Sequence, residues 1–429
     1  MSKPSDKLAA LGGPRAVPRE LKFHVWPKIN ATDEKFVLAS IRQNSHAWGP
    51  NCVALQDEFA RWNGNRFCAA TNSGTAALHM GLAACDVGAG DEVITTTLSW
   101  TSTATCIVHH NAIPVFVDID HDTMLIDPAK IEAAITPRTK AIIPVHYWGL
   151  ACDMDAIMKI AAKHNIKVIE DACQGHGSLY RGRKAGTFGH CAAFSLNQNK
   201  NFSAGEGGLF VSNDEQIYIK ARAVMSFGEL RAPESNRDFH AYALGWMYRT
   251  SDVAAAYARG RLARLDKDNA AAIANWRLLN DGLGGIDGLI RPVETAKQKT
   301  NGYAYVFRVA PDKFPKGVDP NLWRDSVAHA IWLEGVPVAS ARMSLPEHTV
   351  IQARQGYGGG CPWSCPMARK DIDYSMSQYP VTVQTVNSSI QVGINGHRPP
   401  NGKSQINAII KGIRKVFSQL DNVPLKDQA

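Results

Sequence analysis

The stretch AAFSLNQNKNFSAGEGGLFVSN, residues 192–213, decides the fold. Two apolar runs, AAFSL at 192–196 and GLFVSN at 208–213, flank a polar segment that carries Lys200 and ends in Gly205-Glu206-Gly207-Gly208. Runs that are apolar throughout suit strands covered on both faces. Similar runs stand upstream: EVITTT at 92–97, IPVFVDI at 113–119, AIIPVHY at 141–147 and KVIEDA at 167–172. Helical patterns lie between some of them, TAALHMGLAA at 75–84, DPAKIEAAI at 127–135 and MDAIMKIAAKHN at 154–165. Strand–helix–strand alternation of this kind predicts an α/β domain with a mostly parallel sheet.

After residue 250 the pattern changes. Residues 251–283, SDVAAAYARGRLARLDKDNAAAIANWRLLNDGL, read as one or more long helices. A more mixed region begins near residue 290 and closes with a helix in INAIIKGIRKVFSQL, 406–420. The expected organisation is an N-terminal arm and large α/β domain over 1–290, then a smaller C-terminal α+β domain over 291–429. QARQGYGGGCPWSCP, 352–366, is rich in Gly and Pro and reads as a loop.

Composition narrows the function classes. The 429 residues are 45% hydrophobic and 20% charged, with 47 basic against 39 acidic residues and a net charge of +8. Those charges are scattered, which argues against a nucleic-acid partner. No apolar run approaches the roughly 20 residues of a membrane helix, and no signal-peptide core stands at the N-terminus, so the cytoplasm is the expected compartment. The nine cysteines are odd in number and sit mostly in apolar stretches, which suits reduced thiols. Cys361 and Cys365 lack a second ligand pair at zinc-site spacing, so no metal is expected.

Four segments carry chemistry. In TNSGTAALHMGL, 71–82, the turn Ser73-Gly74-Thr75 opens a helix and presents backbone N–H groups suited to phosphate, although Ser and Thr also cap many helices for structural reasons alone. In VIEDACQGHG, 168–177, Asp171 ends a buried strand. A buried carboxylate is costly unless paired, and a pyridinium nitrogen is one suitable partner, a helix or turn cap being the other reading. In FSLNQNKNFSAGEGG, 194–208, Lys200 lies beside Ser195 and the Gly-rich turn. A partly desolvated lysine near a cationic ring becomes a competent amine nucleophile. In TLSWTSTAT, 97–105, Trp100 follows a strand, where its ring either covers a planar cofactor or packs in the core.

The ordered set SGT, W, EDACQ and S-x-x-x-x-K-x-x-x-x-GEGG resembles that of the DegT/StrS-type sugar and cyclitol aminotransferases, which use pyridoxal 5'-phosphate (PLP) on fold type I. The resemblance spans most of the chain, from WPKINATDEKFVLASIRQNSHAWGPNCVALQDEFARWNG at 26–64 to the CP-containing C-terminal region. It implies that Lys200 is the Schiff-base and proton-shuttling lysine, that Asp171 pairs with the pyridine nitrogen, and that Gln174 lies against the ring's polar edge. It further implies that Trp100 stacks on the ring and that Gly74, Thr75 and Ser195 hold the phosphate. His146, in PVHYWG, matches a histidine these proteins carry near the site, with a core histidine as the alternative.

One departure is visible. The family pattern G-x-N-x-R, whose Asn reaches the neighbouring subunit's phosphate, is here Gly245-Trp246-Met247-Tyr248-Arg249. Met247 cannot donate a strong hydrogen bond, which leaves Tyr248 or Arg249 as substitutes. A homodimer with the site at its interface is implied all the same.

The implied reaction moves the amino group of glutamine or glutamate, through PLP and PMP, to the ketone of a sugar or cyclitol. LAALGGPRAVP, 8–18, resembles the glutamine-using scyllo-inosose aminotransferases of aminoglycoside pathways. Three alternatives are weighed. Related dehydratases place His where Lys200 stands. The aminohydroxybenzoate synthases share the Lys and GEGG pattern. A non-catalytic PLP-fold regulator would not need the Lys–Asp–Ser set. Ketone specificity is expected in the segments 225–245 and 352–366.

Overall fold

A computed structural model describes residues 7–44, 46–230, 239–340 and 344–426. Residues 231–238, inside one of the two segments expected to set specificity, therefore lie outside the described residues.

The main sheet has seven strands: β1 Phe67–Thr71, β2 Glu92–Thr96, β3 Ile113–Val117, β4 Thr139–Ile143, β5 Lys167–Asp171, β6 Cys191–Ser195 and β7 Gly208–Ser212. Their order is β1-β7-β6-β5-β4-β2-β3, and only β7 runs against the others. In β2, β3, β6 and β7 every residue is buried, which is why these runs do not alternate. The expected strands at 92–97, 113–119, 141–147, 167–172, 192–196 and 208–213 all form, most one or two residues shorter. AIIPVHY departs most: its strand starts at Thr139 and ends at Ile143, because Pro144 has no N–H to continue the ladder. The fold is thus the α/β fold expected of PLP fold type I.

Helix α1, Gly74–Ala84, follows β1 and is buried almost all round. A Cβ on Gly81 would stand 3.0 Å from Ile169 Cγ2, so the missing side chain lets α1 lie close on the sheet. Helix α2, Ser102–His109, follows β2. Both α1 and α2 start beside the C-terminal ends of parallel strands, where open α/β sheets gather their binding groups.

A second, antiparallel sheet contains β8 Leu289–Ile290, β9 Tyr305–Val309, β10 Val338–Ser340 and β11 Ser389–Val392, in the order β8-β9-β11-β10. It shares a core with the helices Pro320–Leu333 and Lys403–Phe417 through Phe307, Val327, Ile331, Ile390, Ile409 and Ile413. Leu8 and Val17 of the N-terminal arm join that core. The arm is fixed there by the Glu334 carboxylate, which accepts from Ala9 N and Ala16 N at 2.7 Å each. Residues from 345 to 379 return to the main sheet, where Trp363 and Tyr374 pack with Phe116. The Gly/Pro-rich 352–366 segment is mostly irregular, with one short helix at Tyr357–Gly360. Among the described residues, no helix is long and apolar enough to cross a membrane. All nine cysteines are unpaired, six of them buried.

Candidate active site

Asp171 is the last residue of β5 and is almost fully buried. Its backbone is held on the β4 side, N donating to Pro144 O at 2.9 Å and O accepting from His146 N at 3.0 Å. Thr103 Oγ1, in the first turn of α2, donates to Asp171 Oδ2 at 2.7 Å, and Cys173 N donates to Oδ1 at 3.1 Å. Among the described residues no cation stands within ion-pair distance of this carboxylate. A buried acceptor held by two neutral donors is suited to a cationic N–H from a ligand.

The glycine turn sits over the ends of β6 and β7. Ser73 caps α1, its Oγ accepting from Ala76 N at 3.0 Å. A Cβ on Gly74 would stand 2.7 Å from Cys173 Sγ and 2.8 Å from Ser195 Cβ. A Cβ on Gly208, the partner of Ser195 across the ladder, would stand 2.3 Å from Ser73 C. Glycine at both places thus lets the turn, Cys173 and Ser195 converge. This leaves the first N–H groups of a buried helix and the Ser195 hydroxyl side by side, a cradle shaped for an anion. Cys173 stands between charges. Burial, with Asp171 adding to it, pushes its thiol well up, while Lys200 opposes.

Lys200 lies in the turn after β6, its N donating to Asn197 O at 2.9 Å. Its Nζ stands 3.3 Å from Tyr303 Oη. Its carbonyl accepts from Trp26 Nε1 at 3.1 Å. Trp26 is itself buried between two guanidinium groups, Arg261 at 4.8 Å and Arg398 at 5.5 Å from its ring. Arg398 donates to Asn199 O at 2.7 Å and Tyr303 O at 2.8 Å. His176, behind Lys200, is fully buried. Burial, joined by the charges of Lys200 and Arg398, brings its imidazole down to about 3, so it is neutral and adds no charge.

Other expected residues take different parts. Gln174 Oε1 accepts from Trp148 N at 2.8 Å, holding a residue with φ of 53° in the left-handed region. Trp100 leaves 58% of its surface exposed, so it is not a core residue. His146 is one: it is fully buried, its Nδ1 accepts from Cys152 N at 3.0 Å and its Nε2 meets Glu170 Oε2 at 2.8 Å. Glu170 also accepts from the amides of Gly186, Phe188 and Gly189. Burial would raise its carboxyl, but His146 and these amides hold it below the ordinary range.

The segment with Met247 lies along the approach to the Ser73-Gly74-Thr75 turn of its own chain, where Tyr248 O accepts from Thr71 Oγ1 and Asn72 N at 2.7 Å each. Met247 itself is 51% exposed. Tyr248 is turned inward, its hydroxyl 2.8 Å from His79 Nδ1, so of the two substitutes suggested for the missing Asn, Tyr248 has its hydroxyl committed elsewhere. Thr103, Tyr303 and Arg398 were not singled out by sequence reasoning. Thr103 stands inside the segment quoted for Trp100, whereas Arg398 stands in NGHRPP, 395–400, where no motif marks it.

Known proteins share the sequence and the fold. The model of the DegT/DnrJ/EryC1/StrS aminotransferase family matches residues 27–322. A Streptomyces kanamyceticus protein provisionally named an L-glutamine:3-amino-2,3-dideoxy-scyllo-inosose aminotransferase is 37% identical over 80% of this chain and 81% of its own length. GDP-perosamine synthase of Caulobacter vibrioides is 39% identical over 58% of this chain and 67% of its own. Among solved structures, an aminotransferase from Psychrobacter cryohalolentis has a TM-score of 0.82 at 30% identity, covering 94% of this chain and 100% of that one. The 3-amino-5-hydroxybenzoic acid synthase structure also has a TM-score of 0.82, at 27% identity, covering 92% and 99%.

Proposed function

The chain belongs to the DegT/DnrJ/EryC1/StrS aminotransferase family, and on that premise we propose that it uses PLP to move an amino group from glutamine or glutamate to the ketone of a sugar or cyclitol. The observation that carries this reading is the pairing of a buried, cation-free Asp171 carboxylate with a glycine-built anion cradle, both beside the Lys200 segment. These groups match PLP in kind: a carboxylate for the pyridinium, helix N–H groups and a hydroxyl for the phosphate, an amine for the aldehyde.

In this reading Lys200 holds the cofactor covalently. Asp171, oriented by Thr103, keeps the ring nitrogen protonated. Gly74, Thr75 and Ser195 would hold the phosphate, Trp100 would cover the ring, and Gln174 would fix the Trp148 main chain nearby. Bound PLP supplies an electron sink for the donor's α-carbon. With its amine free, Lys200 Nζ would take the α-proton of the amino donor and return it on the other side of the transfer. The relatives named for glutamine and scyllo-inosose derivatives support glutamine as donor and a cyclitol or sugar ketone as acceptor.

The site is proposed to be completed by a second copy. Leu244, 93% exposed, and the exposed Trp246 and Met247 form an apolar surface beside the phosphate turn. Light scattering should give twice the monomer mass.

Purified protein loaded with PLP should be yellow, and glutamine or glutamate should discharge the colour. Lys200→Ala should stay colourless, and an unchanged cofactor band in that variant would sink the proposal. A second reading, loss of water and aromatisation of a cyclic ketone, draws on the likeness to the 3-amino-5-hydroxybenzoic acid synthase structure. Mass spectrometry of the product separates the two, as gain of an amine or loss of water.

A further inference from the structure

We propose that Tyr303 is the proton-exchange partner of Lys200, and that Arg398 is the positioning residue that readies the phenol for this task. The inference rests on the reading that Lys200 is the reacting amine.

Three observations carry it. First, Tyr303 Oη is the hydrogen-bond partner of Lys200 Nζ, at 3.3 Å. The phenol remains half-buried, like the lysine, so both side chains keep some access to solvent. Second, Tyr303 is held from several sides. Its N donates to Asn301 Oδ1 at 2.9 Å, and Asn301 Nδ2 donates to Gln174 O at 2.8 Å and His176 O at 3.1 Å. The Tyr303 main chain is thereby tied to the loop that follows β5, three to five residues beyond Asp171. Third, Arg398 is fully buried and has no carboxylate partner among the described residues. Its guanidinium lies 4.4 Å from the Tyr303 ring centroid, its bonded partners are main-chain carbonyls, and its Nη2 has none. Burial lowers this guanidinium to about 10, which leaves it cationic at neutral pH.

A buried cation without a counter-ion favours negative charge nearby. The phenol is the acidic group best placed to respond. Burial alone would raise Tyr303, but the charges of Lys200 and Arg398 outweigh it and bring the phenol below the ordinary tyrosine range. Other titratable groups around the pair are His176 and His397, which burial keeps neutral, the Cys173 thiol, which burial keeps protonated, and the Asp171 carboxylate. The exchange is a single proton transfer. The N–H bond at Nζ breaks as the O–H bond at Oη forms, and the charge of the pair is conserved. Lys200 can thus shed a proton to Tyr303 before it acts as a base, and recover it afterwards.

The first test needs no cofactor. The ultraviolet difference spectrum between the apoprotein and its Tyr303→Phe variant isolates one tyrosinate among 11 tyrosines. It should ionise below the usual tyrosine range, and Arg398→Met should move it upward. The second test uses the PLP-loaded protein. Tyr303→Phe should bind PLP and turn yellow, yet slow the half-reaction with the amino donor about 100-fold while its KM changes less than about 2-fold. An ordinary or raised ionisation, or a half-reaction rate within about 2-fold of the parent, overturns the proposal. Should Tyr303→Phe not fold, Arg398→Met decides: it must shift the pH midpoint of the bound cofactor's colour, and an unmoved midpoint overturns the proposal. Failure of the wild-type protein to take up PLP would instead count against the role of Lys200.

Discussion

Thr103 donates a 2.7 Å hydrogen bond to the Asp171 carboxylate, so a helix that starts after β2 orients the acid that ends β5. Hydrogen bonds to charged groups contribute about 1.5–3 kcal/mol. Thr103→Val should therefore weaken PLP binding about 10- to 100-fold while the protein stays folded by circular dichroism. Titration of the apoprotein with PLP measures this, and an affinity within about 2-fold of the parent would show that Asp171 needs no such support.

Gly74 offers no room for a methyl group, since Cys173 Sγ and Ser195 Cβ would lie 2.7 and 2.8 Å from it. Overpacking of this kind costs roughly 1–3 kcal/mol. Gly74→Ala should lower the thermal midpoint and, by pushing the turn off Ser195, also reduce the gain in midpoint that PLP confers. Melting curves with and without PLP separate the two effects. A variant that melts and responds to PLP like the parent would mean that the turn relaxes freely.

Acid should unfold this protein early. Burial lowers His79 and His176 to about 3 and His397 to about 4, from 6.5 in each case. The folded state thus refuses protons that the unfolded chain takes up, so stability is full above pH 6.5 and declines as pH falls toward 4. Each histidine accounts for about 2 kcal/mol by pH 5. Urea unfolding at pH 7, 6 and 5 should show this slope. A flat profile would contradict the neutral burial of these three rings.

Met247 stands where the G-x-N-x-R pattern of the resemblance has Asn, which that resemblance implies would reach the neighbouring subunit's phosphate. If the dimer forms as proposed, Met247→Asn restores one hydrogen bond, worth about 0.5–1.5 kcal/mol. The PLP dissociation constant should fall about 2- to 10-fold, and only at protein concentrations where the dimer persists. Equal affinity for monomer and dimer would separate this residue from the phosphate.

Much of the main sheet could be read directly, because strands buried on both faces leave uninterrupted apolar runs. FCAAT of β1 escaped notice because Cys and Ala carry little strand preference, and its place beside β7 is set by tertiary pairing. Strand order was equally hidden, since crossovers leave no trace in periodicity. Lys200, Asp171, Ser195 and Gly74 were legible because they lie in short ordered motifs. Tyr303 and Arg398 were not: they come from about 100 and 200 residues farther along, and only the second sheet's approach to the first brings them to Lys200. His146 was read as either a site group or a core group, and the Glu170 carboxylate that claims it explains why the core reading holds.

Trp26 joins the arm to the lysine loop through its bond to the Lys200 carbonyl, clasped by Arg261 and Arg398. The region matched by the family begins one residue later, at 27. The arm thus supports the Lys200 loop from outside the region that the family model matches. A substitution that removes the Trp26 indole N–H is therefore expected to loosen the loop that carries Lys200.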